Sequence, residues 1–385
     1  MLNRKFEAAL RQLLAEAETP FYAYDLPAVL REAEAFQRAF PGVRLLYAVK
    51  ANPRLFLLRT LRERGFFAET VSLGEVFRSY RAGFLPQEVV LNGPVKPPPV
   101  LRALKTAGVP RLVVDSRADL ERIARELPGA QVLIRVNPDL PVSTHPHLAT
   151  GKGESQFGVL PKEVPALARL ARERGLELLG LHLHLGSALD RPEDFEAGYR
   201  VLEELLDELG RQPVVDLGGG FGLDLDLAAL SPRVARVRQR TGEVWLEPGR
   251  RLVARAGVLA TRVWGEKRTR RRYLLLDAGM SQFLRPALYG ARPPVLPLYE
   301  ADETGVFDLA GPACESADVL ARDVRLPVPK EGDALLILEA GAYGASMANR
   351  YLDTPRPAEY LWDGARWHLL RPREGYPELF EGERS

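Results

Sequence analysis

The chain has 385 residues, 46% of them hydrophobic and 27% charged, with a net charge of +2 spread over interspersed Arg, Glu and Asp. This composition excludes a disordered or polybasic nucleic-acid-binding chain and leaves a globular protein of two domains. A single cysteine rules out an internal disulfide and points to a reducing cytoplasm. With no signal segment at the start and no apolar run of spanning length, no membrane partner is expected.

In chain order, Phe6–Ala17 carries helical periodicity and Pro20–Tyr24 reads as a short strand. A regular alternation follows. Strand-like apolar runs fall at Arg44–Val49, Phe67–Val71, Glu88–Leu91, Arg111–Val114, Val132–Val136, Leu179–Leu185, Val214–Leu217 and Val244–Leu246. Amphipathic stretches such as Leu55–Glu63, Pro161–Arg174 and Glu193–Leu209 separate them. Eight strands alternating with helices, without hairpin signals, predict a (β/α)8 barrel. Each strand ends in polar or glycine-rich residues: Lys50, Ser72, Asn92, Asp115-Ser116, Arg135 with Asn137, His184 to Ser187, Gly218–Gly220 and Glu247–Arg250. In a barrel those ends share one rim, the rim that carries chemistry. Beyond about Val253 the alternation stops, and Arg272–Leu276, Ala334–Leu338 and Tyr360–Leu370 read as strands of a second, β-rich domain. The expected boundaries are 26–255 for the barrel, with 1–25 and 256–385 forming the β-rich, barrel-like domain. The basic stretches Arg233–Arg240 and Arg268–Arg272 read as solvated faces, because no aromatic interleaving accompanies them.

Lys50 closes an apolar run and is followed by Asn52-Pro53, which ends the strand. A lysine desolvated at a rim loses basicity and becomes nucleophilic enough to form a Schiff base; the plainer reading is a strand-capping lysine that snorkels into solvent. Asp216-Leu-Gly-Gly-Gly-Phe-Gly222 follows a strand and precedes a helical stretch, which suits either an anion cradle or a bare turn. Its glycine spacing is not the dinucleotide fingerprint. In Glu247-Pro-Gly249-Arg250 a carboxylate and a guanidinium stand close enough to serve two groups of one flat, phosphorylated cofactor, or simply to pair with each other. His182 and His184 alternate on a strand and face one side. The pattern also suits a metal pair, but His145, His147 and His368 supply no third ligand in a suitable context, and no metal is expected. The lone Cys314 lies between Gly311-Pro312 and the acids Glu315 and Asp318, a poor setting for a core thiol. Tyr343 stands among small residues in Glu339-Ala-Gly-Ala-Tyr-Gly-Ala.

Taken together and in order, YAVKAN, HLHLGS, DLGGGFG, EPGR, GPACES-AD and AGAYG resemble the fold-type III, pyridoxal-phosphate-dependent amino-acid decarboxylases. RVNPD (Arg135–Asp139), THPHLATG (Thr144–Gly151), DAGMSQFLRPALYG (Asp277–Gly290) and RYLDTPRPAE (Arg350–Glu359) look like the diaminopimelate decarboxylase branch. The resemblance implies an alanine-racemase-type barrel followed by a β-domain, and a homodimer with shared active sites. It implies that Lys50 carries pyridoxal 5'-phosphate as a Schiff base and that His184 stacks on its ring. Ser187, Gly218, Gly219, Gly220, Gly249 and Arg250 would lie around the phosphate, with Tyr343 approaching from the second domain, and Glu247 would pair with the pyridine nitrogen. Cys314 of the partner subunit would be the proton donor. Arg250, Arg285, Tyr289, Glu315 and Tyr343 would contact a small amino-acid substrate, meso-2,6-diaminopimelate, decarboxylated at its D centre to L-lysine. The competing expectations are a same-fold decarboxylase for ornithine, arginine, carboxynorspermidine or a carrier-linked amino acid, a racemase, and a non-catalytic homologue. Two departures from the family pattern stand out: Glu69 replaces the usual Asp before Val71-Ser72, and Gln156 replaces the usual Lys before Phe157-Gly158.

Overall fold

The computed structural model describes residues 2–140 and 155–384. The motif Thr144–Gly151, with His145 and His147, lies outside the described residues. The chain divides into two compact units, one formed by Glu32–Arg251 and the other by Met1–Arg31 with Leu252–Ser385.

Within the first unit, eight parallel strands close into a barrel: Arg44–Ala48, Phe67–Thr70, Val89–Leu91, Arg111–Val114, Gln131–Val136, Glu177–Leu183, Val214–Asp216 and Glu243–Leu246. Closure is made by the last strand against the first, with Arg44 opposite Trp245 and Leu45 opposite Leu246. Strands buried on both faces read as continuous apolar runs, which is why these segments were legible. Leu46, Val90, Val113, Leu133, Leu179, Val214 and Trp245 pack together as one core cluster, so the barrel is plugged rather than open. Amphipathic helices cover the outside. Leu55–Glu63 buries Leu57, Leu58 and Leu61, and Glu193–Leu209 buries Phe195, Tyr199, Leu202, Leu205 and Leu206. Ser72 and Ser116 cap the helices that follow their strands, accepting the N–H groups of Glu75 and Asp119. These caps fix where each strand hands over to its helix, and hence where the rim residues sit.

The second unit is built on a nine-stranded sheet. Helix Arg4–Glu16 lays Phe6, Leu10, Leu13 and Leu14 onto Phe21, Ala23, Val258, Ala260, Leu336 and Ala358. The long strand Gly257–Arg268 pairs with Phe21–Asp25, Arg272–Leu276 and Ala334–Ile337. The segment expected as one strand, Tyr360–Leu370, is a hairpin of Ala358–Trp362 and Trp367–Arg371. Its turn is set by Asp363, whose carboxylate accepts the N–H groups of Ala365 and Arg366, and by Gly364 at φ +104°. Among the described residues no helix is long and apolar enough to cross a membrane.

Candidate active site

The first barrel strand ends at Ala48, two residues before Lys50. Lys50 therefore stands on a 3-10 turn, Val49–Ala51, rather than at the end of the strand itself. Asn52 is extended (φ −158°, ψ 106°), as a residue before proline must be, and its carbonyl accepts the buried Tyr47 hydroxyl at 3.0 Å. The turn aims Lys50 at the second strand, where its Nζ donates to Glu69 Oε2 at 2.7 Å. Glu69 is fully buried. Burial pushes its carboxyl up, Lys50 pulls it down, and Glu247 pushes it up again, leaving it at about 7. The extra methylene of Glu69 thus keeps its contact with the lysine. Gln156, the other departure, is exposed.

Glu247 follows the eighth strand and is buried. Burial alone would raise its carboxyl; the His182 imidazole at 3.3 Å, while it carries a proton, and then Lys50 hold it well below its ordinary range. His182 is wholly buried in the sixth strand, and its Nε2 also lies 3.1 Å from the amide nitrogen of Asn92. His184 lies just past that strand. Burial first, then Arg135 and Lys50, lowers its imidazole to about 3, so it is neutral. The Gly219 N–H donates to its Nδ1 at 3.2 Å, which puts the ring proton on Nε2.

The glycines 218 to 220 are required by close approach. A Cβ on them would stand 2.1 Å from Leu183 O, 2.5 Å from Glu247 O and 2.4 Å from Gly186 O, and Gly218 and Gly220 have positive φ. Gly249 presses on Ala48, where an added Cβ would meet Cβ at 2.8 Å. Ser187 is half-buried past the sixth strand, and Arg250 is half-buried at the start of a short helix, Arg250–Val253. Lys50, Glu69, Asn92, Arg135, His184 and Glu247 line a cavity of about 290 Å³ on this rim. Arg135 is held there by Asp115 at 3.5 Å and by the Phe157 ring, 4.6 Å from its guanidinium carbon.

The remaining candidates belong to the second unit. Arg285 and Tyr289 open and close a five-residue helix that Gly290 ends in the left-handed region, and Arg285 Nη1 donates to the Glu339 carbonyl at 3.3 Å. Cys314 and Glu315 are exposed on the loop between two strands. Asp318 braces that loop, accepting N–H groups from Ala313 (2.7 Å) and Met280 (2.6 Å). The Tyr351 hydroxyl donates to Glu315. Tyr343 is half-buried with φ +55°. The glycines around it answer to packing, since a Cβ at Gly341 or Gly344 would stand 1.9 Å from Val253 O or 2.3 Å from Ala340 O.

Residues 26–254 match the family model described as "Pyridoxal-dependent decarboxylase, pyridoxal binding domain". Among curated proteins, the chain is 46% identical to a diaminopimelate decarboxylase of Deinococcus radiodurans over 97% of this chain and 98% of the relative. A second, from Archaeoglobus fulgidus, is 38% identical over 97% and 94%. The crystal structure of diaminopimelate decarboxylase from Helicobacter pylori complexed with L-lysine superposes with a TM-score of 0.90 at 32% identity, covering 96% of this chain and 98% of that one.

The chain belongs to the diaminopimelate decarboxylase family.

Its cofactor is pyridoxal phosphate, and the residues present fit that group. A lysine amine, a neutral imidazole and a buried carboxylate line one cavity, and beside His184 runs a glycine turn in which every added Cβ would strike backbone. Glu247 Oε1 is buried and receives no hydrogen bond. Sequence reasoning did not bring Asp216 to Glu247. One oxygen of each and one nitrogen of His182 lie within 4.8 Å of one another, through the pairing of the seventh and eighth strands. Lys96 was also missed. It is buried, and its three N–H groups are taken by Gly93 O, Val113 O and Asp119, so it braces the loop beside the cavity and has no lone role in chemistry. Tyr351 escaped notice because only the fold brings it to Glu315.

Proposed function

We propose that this enzyme removes carbon dioxide from the D centre of meso-2,6-diaminopimelate and leaves L-lysine, in the cytoplasm, as a homodimer with shared active sites. The observation that carries the reading is the convergence of Lys50, His184 and Glu247 on one cavity in a chain related along nearly its whole length to diaminopimelate decarboxylases. When bound, the cofactor supplies an electron sink for the pair left behind as the carboxylate departs.

The chain's own residues do the rest. Lys50 would hold the cofactor through Nζ, and Glu69 at 2.7 Å is the nearest group to exchange a proton with that amine. Glu247 keeps a proton on the pyridine nitrogen, and the neutral face of His184 supports the ring. Ser187, Gly218–Gly220, Gly249, Arg250 and Tyr343 surround the phosphate. Cys314 of the partner subunit delivers a proton to the α-carbon from which the carboxylate left, so the broken C–C bond is replaced by C–H. Residues 1–25 and 256–385 complete the site. At the far end of the substrate, Glu315 pairs with the ammonium, and Arg285 with Tyr289 holds the carboxylate, with Arg250 and Tyr343 within reach of the bound molecule. A substrate lacking the second carboxylate, such as ornithine, offers that arginine no anion to hold.

The test is to incubate cofactor-loaded protein with the separated meso, LL and DD isomers, ornithine, arginine and lysine, and to identify products by mass spectrometry. Lysine from the meso isomer is expected. A preference for LL, or turnover of ornithine instead, overturns the substrate assignment.

A further inference from the structure

Asp216 is wholly buried at the end of the seventh strand and takes no part in the chemistry described above. Its Oδ1 accepts the Gly218 N–H at 2.9 Å, and the Gly218 carbonyl in turn accepts the Glu247 N–H at 2.8 Å. The carboxyl is thus fixed in orientation and tied to the backbone of Glu247. Its other oxygen, Oδ2, is buried with no hydrogen-bond partner, and so is Glu247 Oε1. His182 does not relieve Glu247. Asn92 Oδ1 accepts the Gly93 N–H at 2.9 Å, so the end of the amide facing His182 Nε2 at 3.1 Å is the NH2 group. Nε2 is then an acceptor and the ring proton sits on Nδ1. Each carboxyl thus has a buried oxygen with no partner, an oxygen of one lies within 4.8 Å of an oxygen of the other, and one proton shared between the two groups relieves both the orphaned oxygens and the repulsion of two buried anions.

We propose that Asp216 is held as a neutral carboxylic acid whose Oδ2–H donates to the Glu247 carboxylate, making it the positioning residue that keeps Glu247 an anion aimed at the cofactor. Burial, and then the charge of Glu247, raises the Asp216 carboxyl well above its ordinary range; burial likewise lowers His182 and keeps it neutral. The other charged groups around the pair act on it as well: Glu69 raises Asp216 further, while Arg135 bears on His182 and Lys50 on Glu247. The positioning role rests on the reading that Glu247 faces the pyridine nitrogen; the protonation of Asp216 does not.

Infrared difference spectra of cofactor-free wild type against Asp216→Asn, in H2O and D2O at pH 7, test the protonation directly. A carboxylic-acid carbonyl band that survives in the wild-type-minus-variant difference, above the Glu69 band common to both, and shifts in D2O is expected; its absence from that difference overturns the proposal. Cofactor titration followed by absorbance tests the positioning. Asn keeps the acceptor for Gly218 and supplies an N–H toward Glu247, so Asp216→Asn should bind within about 3-fold of wild type with an unchanged spectrum. Asp216→Leu, which has no donor, should bind about 10-fold or more weakly and shift the pH at which the spectrum changes. If Asn is as poor as Leu, or if all three bind alike, the positioning role fails even where the infrared band is present. Should the Leu variant not fold, the infrared band and the Asn titration still decide.

Discussion

The two units present their candidate residues in opposite ways. In the barrel, Glu69, His182, Asp216 and Glu247 are buried, and each lies within reach of another charged or polar group of the same unit. In the β-rich unit, Cys314, Glu315 and Tyr351 are exposed, on backbone that Asp318 and neighbouring turns hold in place. In the barrel burial is what shifts protonation: Glu69 rises to about 7 and His184 falls to about 3. The barrel tunes charge, and the β-rich unit offers a braced set of groups to something outside its own loop. That division accords with the proposal that Cys314 acts on a neighbouring subunit's substrate.

The strongest way to break the comparison is at Lys50. Lys50→Ala should abolish both turnover and the visible absorbance of the bound cofactor, since Lys96 has all its N–H groups committed. A variant retaining the band and near-normal activity removes Lys50 from the mechanism. Next, mixing inactive Lys50→Ala and Cys314→Ala protomers should restore activity, because each mixed dimer regains one site with both groups. Absence of recovery after verified subunit exchange would place both groups of a site in one chain.

How much of this was legible depended on the range of the signal. The helices Leu55–Glu63 and Glu193–Leu209 have the bounds expected of them, because apolar spacing and flanking breakers are local. The barrel strands were found within two residues for the same reason. The contact of Asp216 with Glu247 was not legible, because it depends on which strands lie side by side and in what register. The basic stretch Arg233–Arg240 was read as a solvated face. On that face Arg233 and Arg236 bridge to Glu193, Glu196 and Glu203 of the preceding helix, pairings that no single segment reveals.

Substrate choice gives the next largest effect. Arg285→Ala should lower kcat/KM for meso-diaminopimelate by about 100-fold, the worth of a charged hydrogen-bonded contact in a desolvated complex. An unchanged value would sink the assignment of Arg285 to the distal carboxylate while leaving the decarboxylase reading intact.

Glu69 offers a stability test of the barrel alone. Its carboxyl rises from 4.5 to about 7 on folding, so the folded chain holds a proton that the unfolded chain has released. Stability from this group is therefore full below about pH 4.5 and is lost as pH rises to about 7, with a loss of no more than roughly 3.5 kcal/mol. Urea denaturation of the cofactor-free protein between pH 4.5 and 8 should show that slope in wild type and a flatter one in Glu69→Gln. Equal slopes would mean that folding leaves the Glu69 carboxyl where it is in the unfolded chain.

The smallest effect expected is at Tyr351, where the β-rich unit is tested on its own terms. Its hydroxyl donates to Glu315 at the surface, and the adjacent carboxylate raises the Tyr351 hydroxyl, so the phenol stays protonated through neutral pH. If Tyr351 only orients Glu315 toward a substrate ammonium, Tyr351→Phe loses one exposed, solvent-screened hydrogen bond and little else. KM for meso-diaminopimelate should then rise by about 3-fold to 5-fold with kcat nearly unchanged, whereas Glu315→Gln, which removes the charge itself, should cost more. Steady-state kinetics of both variants and their double mutant separate the roles. An orienting tyrosine matters little once Glu315 is gone, so the double mutant should resemble Glu315→Gln. If instead the two losses add, Tyr351 contacts the substrate in its own right, and the far end of the site holds one more polar group than proposed.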